Sequence, residues 1–137
     1  MALTVFTGAA GATQLPGASL QDMVCQRAAN PLDRAVAVTA VMRPLTGTRA
    51  MELKFLLERR TSGGGVWANV PGRDLGRWLH PTNPTLGQQP GDVWKLDKDV
   101  VNLSPARYRF LVTFRWLGRS GLVLGRVRRL SGVCDQP

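Results

Sequence analysis

The run from Tyr108 to Trp116 constrains the fold more than any other part of the chain. Every second residue in this run is large and apolar, namely Tyr108, Phe110, Val112, Phe114 and Trp116. A period of two, combined with aromatic and β-branched side chains, predicts a β-strand with one buried face. A helix would distribute the same side chains around its whole circumference, so the pattern favours a strand.

Other segments show the same character and predict an all-β domain. The further strands are predicted at 20–27, 34–42, 49–60, 66–70, 92–103 and 122–134. To keep the apolar residues on one face, a bulge is expected near 97–99 and a change of phase between Val127 and Leu130. Ser62-Gly63-Gly64-Gly65 reads as a hairpin connection, and Trp78 and Leu79 are expected to tuck into the sandwich. No helix or internal repeat is indicated.

The residues before Tyr108 indicate a corner that leads into this strand. Pro105 lacks the N–H that a sheet ladder needs, so the preceding strand must end there, and Leu103 can fill the core just before the corner. This Leu-x-Pro-x-x-Tyr run resembles the tyrosine corner of Greek-key sandwiches, in which the Tyr hydroxyl bonds back to the backbone upstream. We therefore predict a structural role for Tyr108.

The chain from about residue 20 to residue 136 resembles the immunoglobulin-like or fibronectin type III-like modules of secreted proteins from GC-rich bacteria. The shared elements are Met-x-Leu-x-Phe, a return strand with a single Trp, Tyr-Arg-x-x-Val-x-Phe-Arg-Trp and a final Cys. The chain departs from fibronectin type III in having Val36 and Val38, and no Trp, on the second strand. It also lacks the inter-sheet cysteine pair of antibody domains.

The resemblance implies a Greek-key immunoglobulin-like sandwich of about seven strands. It also implies a noncatalytic extracellular module for spacing, adhesion or surface attachment, of the kind found beside cell-adhesion-related domains. The sandwich is expected to span residues 17–137. Residues 1–16 are expected to be a disordered leader or the truncated end of a signal peptide, since Ala10-Gly11-Ala12 has the form of a cleavage site.

Two cysteines, Cys25 and Cys134, lie near opposite ends of the chain, and neither has a Cys or His at metal-ligand spacing. With His80 as the single histidine, the count excludes a zinc site. We predict a disulfide that ties the first strand to the last, the alternative being a reduced pair in a cytosolic protein. It would close a loop of roughly 110 residues and imply an oxidising compartment, so the predicted localisation is secreted or cell surface.

The formal net charge of +9 has two interpretations. It indicates a surface for nucleic acid, anionic polysaccharide or acidic lipid headgroups, or it reflects GC-rich coding, because the arginines are spread along the chain. The strand at 49–60 is expected to place Glu52, Lys54 and Glu58 beside a row of arginines. That row is Arg107, Arg109, Arg115, Arg126 and Arg128. The face would be either a solvated charged ladder or a weak polyanion-binding surface; Arg27 and Arg34 are placed on the opposite sheet.

No catalytic set is predicted. His80 lies between Leu79 and Pro81 without a nucleophile beside it, and the acids at 92–99 lack the glycine turn and third ligand of a calcium loop. Trp67, Trp78 and Trp94 are expected in the core rather than on a binding platform. We expect no enzyme activity, cofactor, metal or membrane span. The partner is unknown, with a cell-surface polysaccharide or another protein domain as candidates and no specific nucleic acid.

Overall fold

The structure is a computed structural model that describes residues 16–61 and 63–137. Within this range the chain forms strands and two short 3-10 turns, at Pro31–Asp33 and Arg119–Gly121, and no α-helix. The strands are β1 (Ala18–Gln26), β2 (Ala35–Met42), β3 (Ala50–Arg60), β4 (Ala68–Asn69), β5 (Trp94–Val101), β6 (Ala106–Leu117), β7 (Val123–Leu130) and β8 (Cys134–Gln136). The expected leader lies outside the described residues, apart from Pro16.

The strands form two antiparallel sheets. One has the order β1-β2-β5, and the other has the order β4-β3-β6-β7, with β8 pairing the start of β6. The chain crosses between the sheets after β2, after β4 and after β5, which produces the Greek-key connectivity of an immunoglobulin-like sandwich. The predicted fold class is therefore confirmed.

Strand β6 lies at the centre of the larger sheet because it pairs with β3 on one side and with β7 and β8 on the other. Its alternating apolar side chains are all buried, each no more than 2% exposed. They pack in one core with residues of β2 and β3, and the rings of Phe55 and Phe110 meet edge to face at 6.2 Å between centroids. The period of two that predicted this strand thus marks the centre of the core.

Two predicted irregularities occur at other positions. β5 pairs with β2 without interruption from Trp94 to Val101, so the bulge expected near 97–99 is wrong. The phase changes after the strand instead, where Asn102 adopts a left-handed conformation (φ 58°) and Leu103 returns to the core. Asparagine tolerates this backbone region better than most residues.

The closing strand also changes phase later than predicted. From Gly125 to Leu130, β7 keeps one register with β6 and ends with Leu130 opposite Leu111, and β8 resumes with Cys134 opposite Tyr108. The closing strand therefore carries one extra residue between Leu130 and Cys134, as in a β-bulge. The Ser131 hydroxyl accepts a hydrogen bond from the Phe110 N–H (2.8 Å) and so occupies this gap in the ladder.

The corner before β6 has the geometry that its sequence indicates. The Tyr108 hydroxyl donates to the Ser104 carbonyl at 2.8 Å and lies 3.0 Å from the Ser104 hydroxyl. Tyr108 is 1% exposed and Leu103 is 4% exposed, with Pro105 between them at the turn. The buried ring therefore fixes the backbone that leads into the central strand.

Tyr108→Phe is expected to lower the free energy of unfolding by roughly 1 to 3 kcal/mol, because it removes the donor to a corner carbonyl while keeping the ring. Chemical denaturation of the variant and the parent measures this. Ser104→Ala is the control: it removes the second hydroxyl but keeps the Ser104 carbonyl, and should cost less. An unchanged midpoint for Tyr108→Phe would show that the hydroxyl does not hold the corner.

One side of the sandwich is closed by the predicted disulfide, which the structure confirms. Cys25 of β1 is bonded to Cys134 of β8, with 5.4 Å between the Cα atoms and a sequence separation of 109. Because β1 and β8 belong to different sheets, the bond joins the two sheets. Beside it, the Gln136 side-chain amide donates to the Gln26 carbonyl (2.9 Å) and the Arg27 Nε donates to the Asp135 carbonyl (2.8 Å).

A buried arginine braces the end of the sandwich that contains the tyrosine corner. Arg34 directly precedes β2 and is 7% exposed. Its Nε donates to the Ala28 carbonyl (2.8 Å), Nη2 to the Ala29 carbonyl (3.1 Å) and Nη1 to the Leu103 carbonyl (3.3 Å). Carbonyl dipoles, and not a carboxylate, surround this charge, so Arg34 connects the β1–β2 loop to the corner before β6.

Candidate functional site

The outer surface of the larger sheet carries the largest patterned set of charges in the described part of the chain. We call it the Arg–Trp face; it consists of the outward residues of β3, β6, β7 and β8 together with two tryptophans. Its basic side chains are Lys54, Arg60, Arg107, Arg109, Arg115, Arg126 and Arg128. Its acidic side chains are Glu52, Glu58 and Asp135. The structure thus brings all of the predicted arginines to one face.

The register of the sheet explains why the charges meet. Glu52 lies directly opposite Arg115, and Glu58 lies directly opposite Arg109, so the acids lie beside the arginines of β6 as the sequence predicted. On the other side of β6, Arg126 lies opposite Arg115. The buried set of each strand fixes which residues face outward, and the register of the pairing then brings the acids of β3 next to the arginines of β6.

Two of the arginines are held in ion pairs. The Arg109 Nε donates to Glu58 Oε1 at 2.7 Å, and the Arg115 Nε donates to Glu52 Oε1. The four side chains are between 8% and 25% exposed, so both pairs are largely removed from water. Partial burial makes such a pair costly to break, because one charge would be left without its partner.

Trp67 and Trp78 cover these pairs, which corrects the prediction that they lie in the core. The Trp67 ring centroid lies 4.1 Å from the Arg109 Cζ, and the Trp78 ring centroid lies 3.9 Å from the Arg115 Cζ. Of the three tryptophans expected in the core, only Trp94, at 7% exposed, lies there. Each indole stacks on the guanidinium of an ion pair and adds a cation–π contact of about 0.5–2 kcal/mol.

The long connection between β4 and β5 places Trp78 on the Arg–Trp face. This segment pairs with the free edge of β3: the Gly76 N–H donates to the Phe55 carbonyl (2.7 Å), and Leu79 and Leu53 exchange two backbone bonds (2.7 and 3.2 Å). Leu79 therefore packs against the core, as expected, whereas Trp78 points outward. Proline and glycine interrupt the segment, so no periodicity in the sequence revealed this orientation.

The predicted arginines divide into two classes. Arg109 and Arg115 each form an ion pair and contact a tryptophan ring. Arg107, Arg126 and Arg128 are exposed, and none of them forms an ion pair with another described residue. The exposed class is therefore the part of the face that is available to a ligand.

His80 is joined to the same network. Its Nδ1 lies 3.0 Å from Glu52 Oε2, and its side chain is 63% exposed. No hydroxyl or thiol among residues 16–61 and 63–137 is hydrogen-bonded to it. The geometry gives His80 a contact on the edge of the charged ladder, which the sequence did not reveal.

The acidic residues considered as calcium ligands are separated in the structure. Asp92 accepts from the Gly87 N–H (2.8 Å) and the Gln89 N–H (3.2 Å), so it stabilises a loop. Asp97 accepts from the Thr39 hydroxyl at 2.6 Å on the smaller sheet. The described residues contain no group of three His, Cys, Asp or Glu side chains placed to hold a metal ion. They also include no helix of the length and apolarity needed to cross a membrane.

The chain matches none of the known protein-family models, and no curated protein resembles it significantly. The chemistry of the Arg–Trp face and of the disulfide is therefore the basis for any functional interpretation.

Proposed function

We propose that this chain is a noncatalytic extracellular module with a structural or adhesive role, of the immunoglobulin-like or fibronectin type III-like kind found in secreted bacterial proteins. The observation that carries the proposal is the disulfide between Cys25 and Cys134. Structural disulfides persist in oxidising compartments, whereas cytosolic thiols are kept reduced.

The charged surface favours a structural or adhesive role over catalysis. The ion pairs and indole stacks of the Arg–Trp face lie on a sheet surface, whereas enzyme sites are commonly concave and enclosed. The carboxylates of Glu52 and Glu58 are already paired with arginines. His80 contacts Glu52 and no described nucleophile. These features favour a rigid module with one patterned face.

The location is tested by labelling Cys25 in intact cells of the source organism. Cys25 is exposed and Cys134 is buried, so a reduced protein should react first at Cys25. A membrane-impermeant maleimide should label the protein only after treatment with an impermeant reductant. A cytosolic thiol protein serves as the control and should stay unlabelled. Labelling that requires lysis but no reductant would contradict the proposal.

The adhesive role is tested with the purified, oxidised protein on beads. Coated beads are mixed with cells of the source organism and sedimented, and beads coated with an unrelated domain of similar charge are the control. Selective retention supports adhesion. Equal retention of both kinds of beads would leave spacing as the role of the module.

A further inference from the structure

We propose that the β7 end of the Arg–Trp face binds an anionic polysaccharide, with Lys54, Arg126 and Arg128 as the contacting cations beside Trp78. This inference adds a ligand class to the module proposed above. It relies on the extracellular location only for the choice of polysaccharide over nucleic acid.

The Arg–Trp face carries more positive charge than its carboxylates neutralise. Seven basic side chains share the face with three acidic ones. Glu52 and Glu58 are bonded to Arg115 and Arg109, so they do not neutralise the cations at the β7 edge. Among the described residues, Lys54, Arg126 and Arg128 form no ion pair. Such a surplus attracts polyanions over a range set by the salt concentration.

The three unpaired cations lie close together on rigid strands. Arg126 and Arg128 are two residues apart on one strand, so both side chains emerge on the same face about 7 Å apart along it. Lys54 and Arg128 lie on either side of Thr113, one strand away in each direction. The three charges therefore form a compact group and do not depend on a flexible loop.

The Trp78 indole lies within this group of cations. The Trp78 ring centroid lies 4.8 Å from the Lys54 Nζ and 5.9 Å from the Arg126 Cζ, and the side chain is only partly buried. The stack on Arg115, which Glu52 holds in turn, fixes the ring in place. An indole offers an apolar surface to the C–H face of a sugar, while a guanidinium matches a carboxylate or sulfate with two parallel hydrogen bonds.

The surface that carries these cations is long and open. β6 is 12 residues long, so the sheet face extends for about 40 Å. A second pair of cations, Arg60 and Arg107, lies near its other end, beyond a row of leucines. Small molecules bind mostly in concave pockets, whereas an extended chain can accumulate weak contacts along an open face. The face therefore fits a polymer better than a small molecule.

Heparin, a sulfated polysaccharide, is the probe for the test. Its affinity is measured for the intact oxidised protein between about 50 and 300 mM salt, where polyanion binding falls steeply. Arg126→Ser with Arg128→Ser should weaken binding at least about tenfold and reduce the slope of log affinity against log salt by about two. The matched control is Lys95→Ser with Arg119→Ser, which removes the same charge from the outer face of β5 and from the β6–β7 turn. The control should change affinity less than about twofold.

Three results would overturn the inference. The first is an equal loss of affinity in both double variants, because net charge alone would then explain the binding. The second is no binding of the parent protein at the lowest salt. The third is single-stranded DNA binding as tightly and depending on the same two arginines, which would remove the assignment to polysaccharide. Matching melting temperatures show that every variant is folded, and the labelling of Cys25 in cells tests the extracellular module independently of all three.

Discussion

Removal of the disulfide is expected to lower the free energy of unfolding by about 2 to 5 kcal/mol. The variant is Cys25→Ser with Cys134→Ala, because Cys25 is exposed and Cys134 is fully buried in the core. The bond joins residues 109 apart, so its loss frees most of the chain in the unfolded state. It also releases β1 from β8, and the Gln136 side chain loses the sulfur atom that it contacts at 3.3 Å.

Denaturant unfolding of three samples measures this effect: the oxidised parent, the parent with a reductant and the double variant. The reduced parent and the double variant should agree within about 1 kcal/mol if the covalent link, and not the side-chain replacement, is responsible. A double variant that is as stable as the oxidised parent would show that the hydrogen bonds of Gln136 and Arg27 hold this side of the sandwich without the bond.

Arg34→Met is expected to lower the free energy of unfolding by about 2 to 4 kcal/mol. The substitution preserves most of the side-chain volume but leaves the carbonyls of Ala28, Ala29 and Leu103 without their donor. A hydrogen bond to a charged group contributes about 1.5–3 kcal/mol to stability. The substitution also removes the cost of burying a charge, which offsets part of the lost hydrogen-bond energy. The loss should concentrate at the corner before β6, since Leu103 lies there.

Arg34→Lys is the comparison that separates charge from geometry. Lysine keeps the positive charge, but its single nitrogen cannot reach carbonyls on both sides as the guanidinium does. We expect its stability to lie between those of the parent and Arg34→Met, measured by the same denaturant titration. If the methionine variant were as stable as the parent, the desolvation of the guanidinium would cancel its hydrogen bonds and Arg34 would not brace the fold.

The central sheet could be predicted from the sequence because its strands carry an unbroken alternation. The inward set from Tyr108 to Trp116 and the inward set of β3 each fix one phase, and a slip of one residue would turn every side chain to the wrong face. Those two phases place Glu52 and Arg115 on the same outer face, whereas the register that sets them opposite each other is seen only in the structure. The disulfide could be predicted as well, since both cysteines are isolated in the sequence.

The two irregularities could not be placed because several conformations produce the same change of phase. A bulge within β5 and a left-handed residue after it both return Leu103 to the core, and the sequence does not distinguish them. The structure selects Asn102, which keeps all the hydrogen bonds of the β2–β5 ladder. Similarly, the extra residue of the closing strand lies beside Ser131, whose hydroxyl replaces a backbone acceptor.

The outward positions of Trp67 and Trp78 could not be predicted from the sequence, for a different reason. Trp78 belongs to a segment that touches β3 through single bridges, so its neighbours show no period. Its outward direction follows only from the pairing of Leu79 with Leu53. The indoles cover the arginines that form ion pairs and leave the others exposed. The division of the predicted arginines into two classes therefore could not be predicted without the positions of the indoles.

The position of the disulfide determines how the protein carries a pulling force. Tension applied to the chain before Cys25 and after Cys134 passes directly from one sulfur atom to the other, and the polypeptide between them bears none of it. At about 3.5 Å per extended residue, the sequence separation of 109 residues corresponds to about 380 Å of chain. The bond prevents this length from being pulled out when the sandwich unfolds. The module would then behave under load as a short, nearly inextensible link, and a reductant would convert it into an extensible one.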